Sequence, residues 1–82
     1  MRIAMIINGH SVNVSCNQSL RLQNAIQRTL KITQNESRPL NDWQVRDANG
    51  VLLETQRKLK DFKFENGTRL FLSLAVGAGG EA

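Results

Sequence analysis

Two residues, Asn8 and Gly9, constrain the fold of this chain most, because they separate two segments of alternating polarity. Asn-Gly is favoured in two-residue hairpin turns, in which both central residues need a positive φ angle. Residues 2–7 alternate weakly before the turn, and residues 11–16 alternate cleanly after it. The residues that would share one face are Ile3, Met5, Ile7, Val12, Val14 and Cys16. The sequence therefore predicts a β-hairpin with one buried face.

The segment after the hairpin has the spacing of a helix. Apolar residues recur three and four positions apart over residues 20–32, which is the pattern of an amphipathic helix with one buried stripe. Ser19 stands just before this segment and is predicted to cap its first turn, because a serine hydroxyl can accept a hydrogen bond from a free N–H. The stripe consists of Leu22, Ala25, Ile26 and Leu30.

The second half of the chain has the features of further strands. Residues 33–42 are a polar loop, through which Pro39 excludes a continuous helix. Residues 43–46 alternate as a third strand, and residues 51–53 follow a turn as a short fourth strand. The last strand is predicted over residues 68–76, with Leu70, Leu72 and Leu74 on one face. One helix against a mostly antiparallel sheet is a two-layer α+β domain.

The length of the chain limits how many domains it holds. A chain of 82 residues buries about 60% of its surface on folding, which is enough for one core. We expect one domain over residues 1–76, followed by a flexible tail over residues 77–82. The tail carries no side chain larger than a methyl group before Glu81, so ordering it would be entropically costly.

These segments together resemble ubiquitin-like β-grasp proteins. The resemblance covers residues 1–80 and includes the opening hairpin, the helix after Ser19 and the strand pair over 43–53. It also includes a last strand that leads to Gly79-Gly80. More narrowly, the chain is similar to bacterial ubiquitin-like proteins that are encoded beside E1-like, E2-like and JAB-type peptidase genes. The resemblance implies a mixed sheet of four to five strands with one helix packed across it.

The resemblance also implies a function as a protein modifier and no catalysis by the chain itself. A JAB-type peptidase would cut between Gly80 and Glu81, and an E1-like enzyme would use ATP to adenylate the new carboxylate. An E2-like enzyme would then help transfer it to amines of target proteins. Glycines at 79 and 80 would let the backbone lie in a narrow enzyme groove, since they have no Cβ. The full-length chain, with its carboxylate on Ala82, is expected not to be adenylated productively.

Four residues are candidates for contact with these partners. Phe71 alternates out of phase with the leucines of the last strand and is expected to be exposed beside the tail. Arg46 and Arg69 are expected to flank the same sheet face, and Val76 lies at the start of the tail. By resemblance, Gln44 and Ser73 fall near the apolar recognition patch of ubiquitin, and they are polar here.

Two other functions use the same fold. A sulfur carrier would hold a thiocarboxylate on the glycine tail, although such carriers usually end at the Gly-Gly itself. A non-covalent interaction domain would function without residues 77–82.

Composition disfavours several further classes. Nucleic-acid binding rests only on the net charge of +4, because the basic residues are dispersed and lack interleaved aromatics. One cysteine and one histidine cannot build a structural zinc site, and no cofactor is expected.

The apolar run Ile3–Ile7 is too short to span a membrane. A single Cys16, expected to be a small core residue, fits a reducing cytoplasm, and His10 is expected at the surface.

Overall fold

A computed structural model describes residues 1–75 of the chain. Its four strands and one helix follow in the order β1 (Arg2–Ile7), β2 (His10–Ser15), α1 (Leu22–Ile32), β3 (Trp43–Arg46) and β4 (Thr68–Leu74). The strands form one sheet in the spatial order β2-β1-β4-β3. Strands β1 and β4 are parallel, and the other two pairs are antiparallel. The predicted α+β fold, with one helix packed across a mixed sheet, is confirmed.

The β1–β2 hairpin has the turn that the sequence predicts. Asn8 and Gly9 have φ angles of 51° and 80°, which is the combination that a type I′ turn requires. Cys16 continues the pairing just beyond β2, because its N–H and its C=O both bond to Met1 at 2.8 Å. Val14 and Cys16 are buried as predicted, whereas Val12, two residues nearer the turn, is only half-buried.

The core lies between the inner face of the sheet and α1. The central strands contribute completely buried side chains, and the predicted helix stripe covers them. The core consists of Ile3, Met5, Ile7, Val14, Cys16, Leu22, Ala25, Ile26, Leu30, Trp43, Val45, Leu59, Leu70 and Leu72. This set includes the predicted helix stripe and the predicted hairpin face except for Val12, which is partly buried and packs against the core.

The prediction that Ser19 caps the helix is wrong. The Ser19 hydroxyl donates to Asn17 Oδ1 at 2.9 Å, and the helix begins two residues later than expected, at Leu22. The N–H groups of Leu22 and Gln23 donate instead to carbonyls of the 55–57 segment, each at 2.9 Å. A loop distant in sequence thus satisfies donors that a local cap would otherwise have to satisfy.

The predicted fourth strand over residues 51–53 is also wrong. That segment forms only a single bridge, between Arg46 and Leu52, through the bonds from Leu53 N–H to Val45 C=O and from Asp47 N–H to Val51 C=O. The Asp47 side chain accepts from the N–H of Asn49 and the N–H of Val51, which closes a tight loop that leaves no length for a ladder.

The last strand is shorter than predicted, because β4 ends at Leu74 rather than at residue 76. The Ala75 N–H then donates to the Asp42 carbonyl at 2.8 Å. Leu70 and Leu72 are buried as expected, whereas Leu74 is 40% exposed at the end of the sheet. Val76 and the 77–82 tail lie outside the described residues, so the predicted boundary between domain and tail stays a prediction.

Leu72 and Leu74 provide a matched test of the core. Leu72 is 6% exposed, and its substitution Leu72→Ala should lower the free energy of unfolding by about 2–5 kcal/mol. Leu74→Ala removes the same atoms from a half-exposed position and should cost less than about 1.5 kcal/mol. Urea denaturation of both variants measures the difference, and equal costs would contradict the observed burial.

Candidate functional site

The outer face of the sheet, opposite α1, brings together three of the predicted contact residues. Phe71 pairs with Arg46 across the β3–β4 ladder and with Ile6 across the β1–β4 ladder. Arg69 lies two residues before Phe71 on the same face, opposite Ala4. Directly paired side chains lie about 5 Å apart at their Cβ atoms, so these residues form one surface.

One row crosses this face at right angles to the strands and contains most of its apolar area. We call it the outer row: Ile6, Phe71, Arg46 and Leu52. Phe71 is 39% exposed and Leu52 is 52% exposed, while Ile6 and Arg46 are half-buried. An exposed aromatic beside aliphatic side chains and a guanidinium group is the composition typical of residues that dominate protein–protein contacts.

The charge on this face is basic. The Arg46 guanidinium donates to Gln44 Oε1 at 3.4 Å, and it makes no ion pair within residues 1–75. Arg69 is exposed and likewise makes no ion pair there. Two uncompensated positive charges beside Phe71 would steer a partner with acidic residues toward this face.

Two of these residues were missed by the sequence reasoning. Ile6 alternates with the buried residues of β1, so the strand pattern implied that it faces outward. Because every residue from Ile3 to Ile7 is apolar, nothing in the sequence distinguished Ile6 as a surface residue. Leu52 was assigned to a strand that does not form, and only the bridge to Arg46 places it in the outer row. Gln44 and Ser73, expected near the recognition patch, pair directly with each other on the same face.

The remaining predicted site residues cannot be placed. Val76, Gly79 and Gly80 follow Ala75 and lie outside the described residues. The point from which they leave is defined, because the Ala75 N–H is bonded to Asp42 next to the start of β3.

The single cysteine is a core residue. Cys16 is buried, and this burial raises the pKa of its thiol, although the nearby Arg28 guanidinium opposes the shift. A neutral, enclosed thiol is a poor nucleophile. His10 is exposed beside the hairpin turn, as expected.

Trp43 is a core residue too. It is buried at the start of β3, and its Nε1–H has no acceptor among residues 1–75. Its burial makes Trp43 part of the core rather than an exposed binding residue.

The described part of the chain contains neither a cluster of metal-binding side chains nor a membrane-spanning helix. No group of three or more histidine, cysteine, aspartate or glutamate side chains among residues 1–75 is arranged to hold a metal ion. The helix within this range is too short and too polar to cross a membrane.

Comparison with known proteins places the chain in a family and identifies its fold. A family model described as Protein of Unknown function (DUF2604) matches residues 1–80. A protein of Sinorhizobium fredii (strain NBRC 101917 / NGR234), titled Uncharacterized protein y4jI, is 35% identical over 80 residues. Those residues are 98% of this chain and 62% of that protein, so the chain spans less than two thirds of its relative.

Among solved structures, one titled Caldiarchaeum Subterraneum Ubiquitin superimposes with a TM-score of 0.75. The match covers 92% of both chains at 12% sequence identity. At that identity the match shows the fold alone, and the fold is that of ubiquitin.

Proposed function

The chain belongs to the family described as Protein of Unknown function (DUF2604), and we propose that it acts as a ubiquitin-like protein modifier. In this proposal a JAB-type peptidase cuts after Gly80, and the Gly80 carboxylate becomes the reactive end of the protein. An E1-like enzyme, an E2-like enzyme and target proteins in the cytoplasm are the other partners. The chemistry belongs to those enzymes, and this chain supplies the carboxylate and a recognition surface.

The observation that carries the proposal is the position of the chain end on a ubiquitin-like domain. Strand β4 lies inside the sheet between β1 and β3, and its last two residues, Ser73 and Leu74, pair with β3. The Gly79-Gly80 pair follows Ala75 by four and five residues. A short segment from a rigid domain can deliver its carboxylate into a partner's groove while the domain face beside it is recognised.

The proposed reaction has three steps. The Gly80 carboxylate attacks the α-phosphate of ATP and releases pyrophosphate, which leaves an acyl-adenylate. A cysteine thiolate of the activating enzyme then displaces AMP and forms a thioester. Finally, a target amine displaces the thiol and forms an amide. A side chain at position 79 or 80 would obstruct the approach to the carbonyl carbon in each step.

The outer row supports the proposal as the recognition surface. Phe71 is exposed on β4, the strand that leads to the glycines, and Arg46 and Arg69 lie around it. Val76 follows directly and would extend the contact along the tail. Because Ala75, Val76 and Gly77 stand in place of the basic and apolar tail of ubiquitin, we propose a dedicated activating enzyme rather than one that also recognises ubiquitin.

Mass spectrometry tests the proposal directly. A copy with an epitope tag before Met1 keeps a backbone N–H that can donate to Cys16, so the tag is compatible with the hairpin. The tagged chain is recovered from its host under denaturing conditions. We expect a free species that ends at Gly80 and larger species linked to lysines. Trypsin should leave residues 70–80 on those lysines, because no lysine or arginine follows Arg69.

Other results would point to the alternatives. A species that ends at Gly80 with sulfur in place of one oxygen, and without adducts, would indicate a sulfur carrier. A chain that is neither cut nor linked to any protein would contradict both and leave the non-covalent interaction domain.

Gly80→Arg should abolish conjugates, since the new side chain blocks the carbonyl. The free energy of unfolding should change by less than about 0.5 kcal/mol, because the core lies within residues 1–75. Gly77→Arg is the matched control, with the same new charge three residues earlier, and should keep most conjugation. Conjugates that persist in Gly80→Arg would contradict the proposal that Gly80 carries the carboxylate that is activated.

Phe71→Ala tests the recognition surface. Truncation of a central contact residue commonly costs 2 kcal/mol or more of binding, so activation should slow by about 30-fold. Leu74→Ala is the control, because Leu74 is 40% exposed on the same strand but on the opposite face. Pyrophosphate release measures activation, and equal rates for the two variants would exclude the outer row as the contact surface.

A further inference from the structure

The four strands carry charge of one sign only, and all of it lies on the outer face of the sheet. Apart from His10, their only ionisable side chains are those of Arg2, Arg46 and Arg69, and the strands contain no aspartate, glutamate or lysine. All three arginines alternate with buried residues of their strands and therefore face away from α1. Within residues 1–75 none of them forms an ion pair.

Two carboxylates lie closest to these arginines along the chain. Asp47 follows Arg46, and its Oδ1 accepts from the N–H groups of Asn49 and Val51. Glu65 is exposed in the loop before β4. Neither carboxylate comes close enough to an arginine for an ion pair, so the positive charge of this face is available to an anion.

The register of the strands places the three arginines on one diagonal line. Ala4 pairs with Arg69, and Arg2 lies two residues before Ala4 on β1. In the same way Phe71 pairs with Arg46 and lies two residues after Arg69 on β4. Because β1 and β4 are parallel, each step along the line goes one strand across and two residues along, which is about 7–8 Å. Cations at such a regular interval can follow successive phosphates of an extended nucleic-acid strand.

Phe71 supplies an aromatic surface at this line of arginines. It lies on β4, which is one of the two interior strands, and its side chain is 39% exposed. Ile6 and Arg46 flank it on the neighbouring strands, and Ser73, next on the same face of β4, is small. A four-stranded sheet with an exposed aromatic side chain on an interior strand can serve as a platform on which an unpaired base stacks.

This arrangement is invisible along the chain. The three arginines and Phe71 are dispersed between residues 2 and 71, and composition alone disfavoured nucleic acid for that reason. The pairing of distant strands brings the four side chains onto one surface. Charge and aromatic ring are therefore interleaved across the sheet rather than along the sequence.

We propose that the outer face of the sheet binds single-stranded nucleic acid, with one base stacked on Phe71 and phosphates beside Arg2, Arg69 and Arg46. Arginine suits this role, because its planar guanidinium group can donate two parallel hydrogen bonds to a phosphate. A duplex fits less well, because its bases are already stacked and a flat sheet does not enter its grooves. An acidic protein segment would meet the charges, but nucleic acid matches both their regular line and the ring.

The proposal does not rest on conjugation. It needs no residue after Ala75, and its test contains no conjugating enzyme. Failure of the proposed modifier function would therefore leave it unchanged, and the reverse also holds.

Binding of a short oligonucleotide to the full chain tests the proposal. The probe is a fluorescein-labelled oligothymidylate of about eight nucleotides, and its anisotropy is measured at several salt concentrations. Three phosphate contacts predict that the logarithm of the binding constant falls against the logarithm of salt concentration with a slope of about −2. An abasic strand with the same number of phosphates should bind at least about fivefold more weakly, because it has no base to stack.

Variants at position 71 separate base stacking from a simple apolar contact. Phe71→Leu keeps an apolar side chain without the ring and should weaken binding about fivefold or more. Phe71→Trp enlarges the ring and should bind at least as tightly as the parent chain. Leu74→Ala is the control, because Leu74 lies on the same strand but on the opposite face.

Charge variants test the line of arginines. Arg69→Gln removes one phosphate contact and should reduce the steepness of the salt dependence by about 0.7, whereas Arg69→Lys should keep most of it. Lys31→Gln makes the same charge change on α1, across the sheet from the outer face, and should leave the slope unchanged. Dispersed nuclear magnetic resonance signals from the core confirm that each variant is folded. The abasic strand tests the proposal in the unaltered chain even if a variant fails to fold.

Several results would overturn the proposal. Equal binding of the abasic strand, or of a duplex of the same length, would indicate simple attraction between opposite charges. Chemical shift changes that centre on α1 instead of Phe71 and Arg69 would place the strand on another surface. A polyglutamate peptide that binds more tightly than the oligonucleotide, and equally well to Phe71→Leu, would make an acidic protein segment the occupant.

Discussion

The parallel pairing of β1 with β4 joins the two ends of the chain, and the other elements are arranged around it. Residues about 65 positions apart, such as Ile3 and Thr68, become neighbours in the centre of the sheet. Where the two strands pair, their inward side chains are completely or almost completely buried. Closing so long a loop is entropically costly, so this contact forms only together with the apolar burial that offsets the cost.

This pairing also determines how the two surfaces are distributed. Because β4 lies between β1 and β3, its outward Phe71 has a neighbour on each side, and the outer row extends from Ile6 to Leu52. Because β1 is an interior strand, β2 becomes the edge. The chain end that carries the glycines and the open edge of β2 therefore belong to different sides of one small domain.

Charge distinguishes the two sides as well. The outer row contains Arg46, and Arg69 lies beside the row on the same face, but acidic residues occur elsewhere in the same half of the sequence. On the helix side, Arg28 and Lys31 are exposed on α1, and Glu36 lines the same surface pocket as both of them. At physiological ionic strength charges interact mainly within about 8 Å, so a partner would meet each surface as a separate local field.

Local chemistry within the sequence determined the hairpin, the helix and the buried faces. The Asn8-Gly9 turn adopts positive φ angles that these two residues favour. Apolar residues at intervals of two in a strand, or of three and four in a helix, specify which face is buried, and this pattern is local.

Tertiary structure decided the features that depend on contacts between residues distant in sequence. The helix begins at Leu22 rather than after Ser19, because carbonyls of the 55–57 segment satisfy its first N–H groups. Residues 51–53 remain a loop, because Asp47 binds their backbone tightly. Only the strand order places Phe71 beside Arg46 and leaves β2 open, since spacing along a chain contains no information about which strands become neighbours.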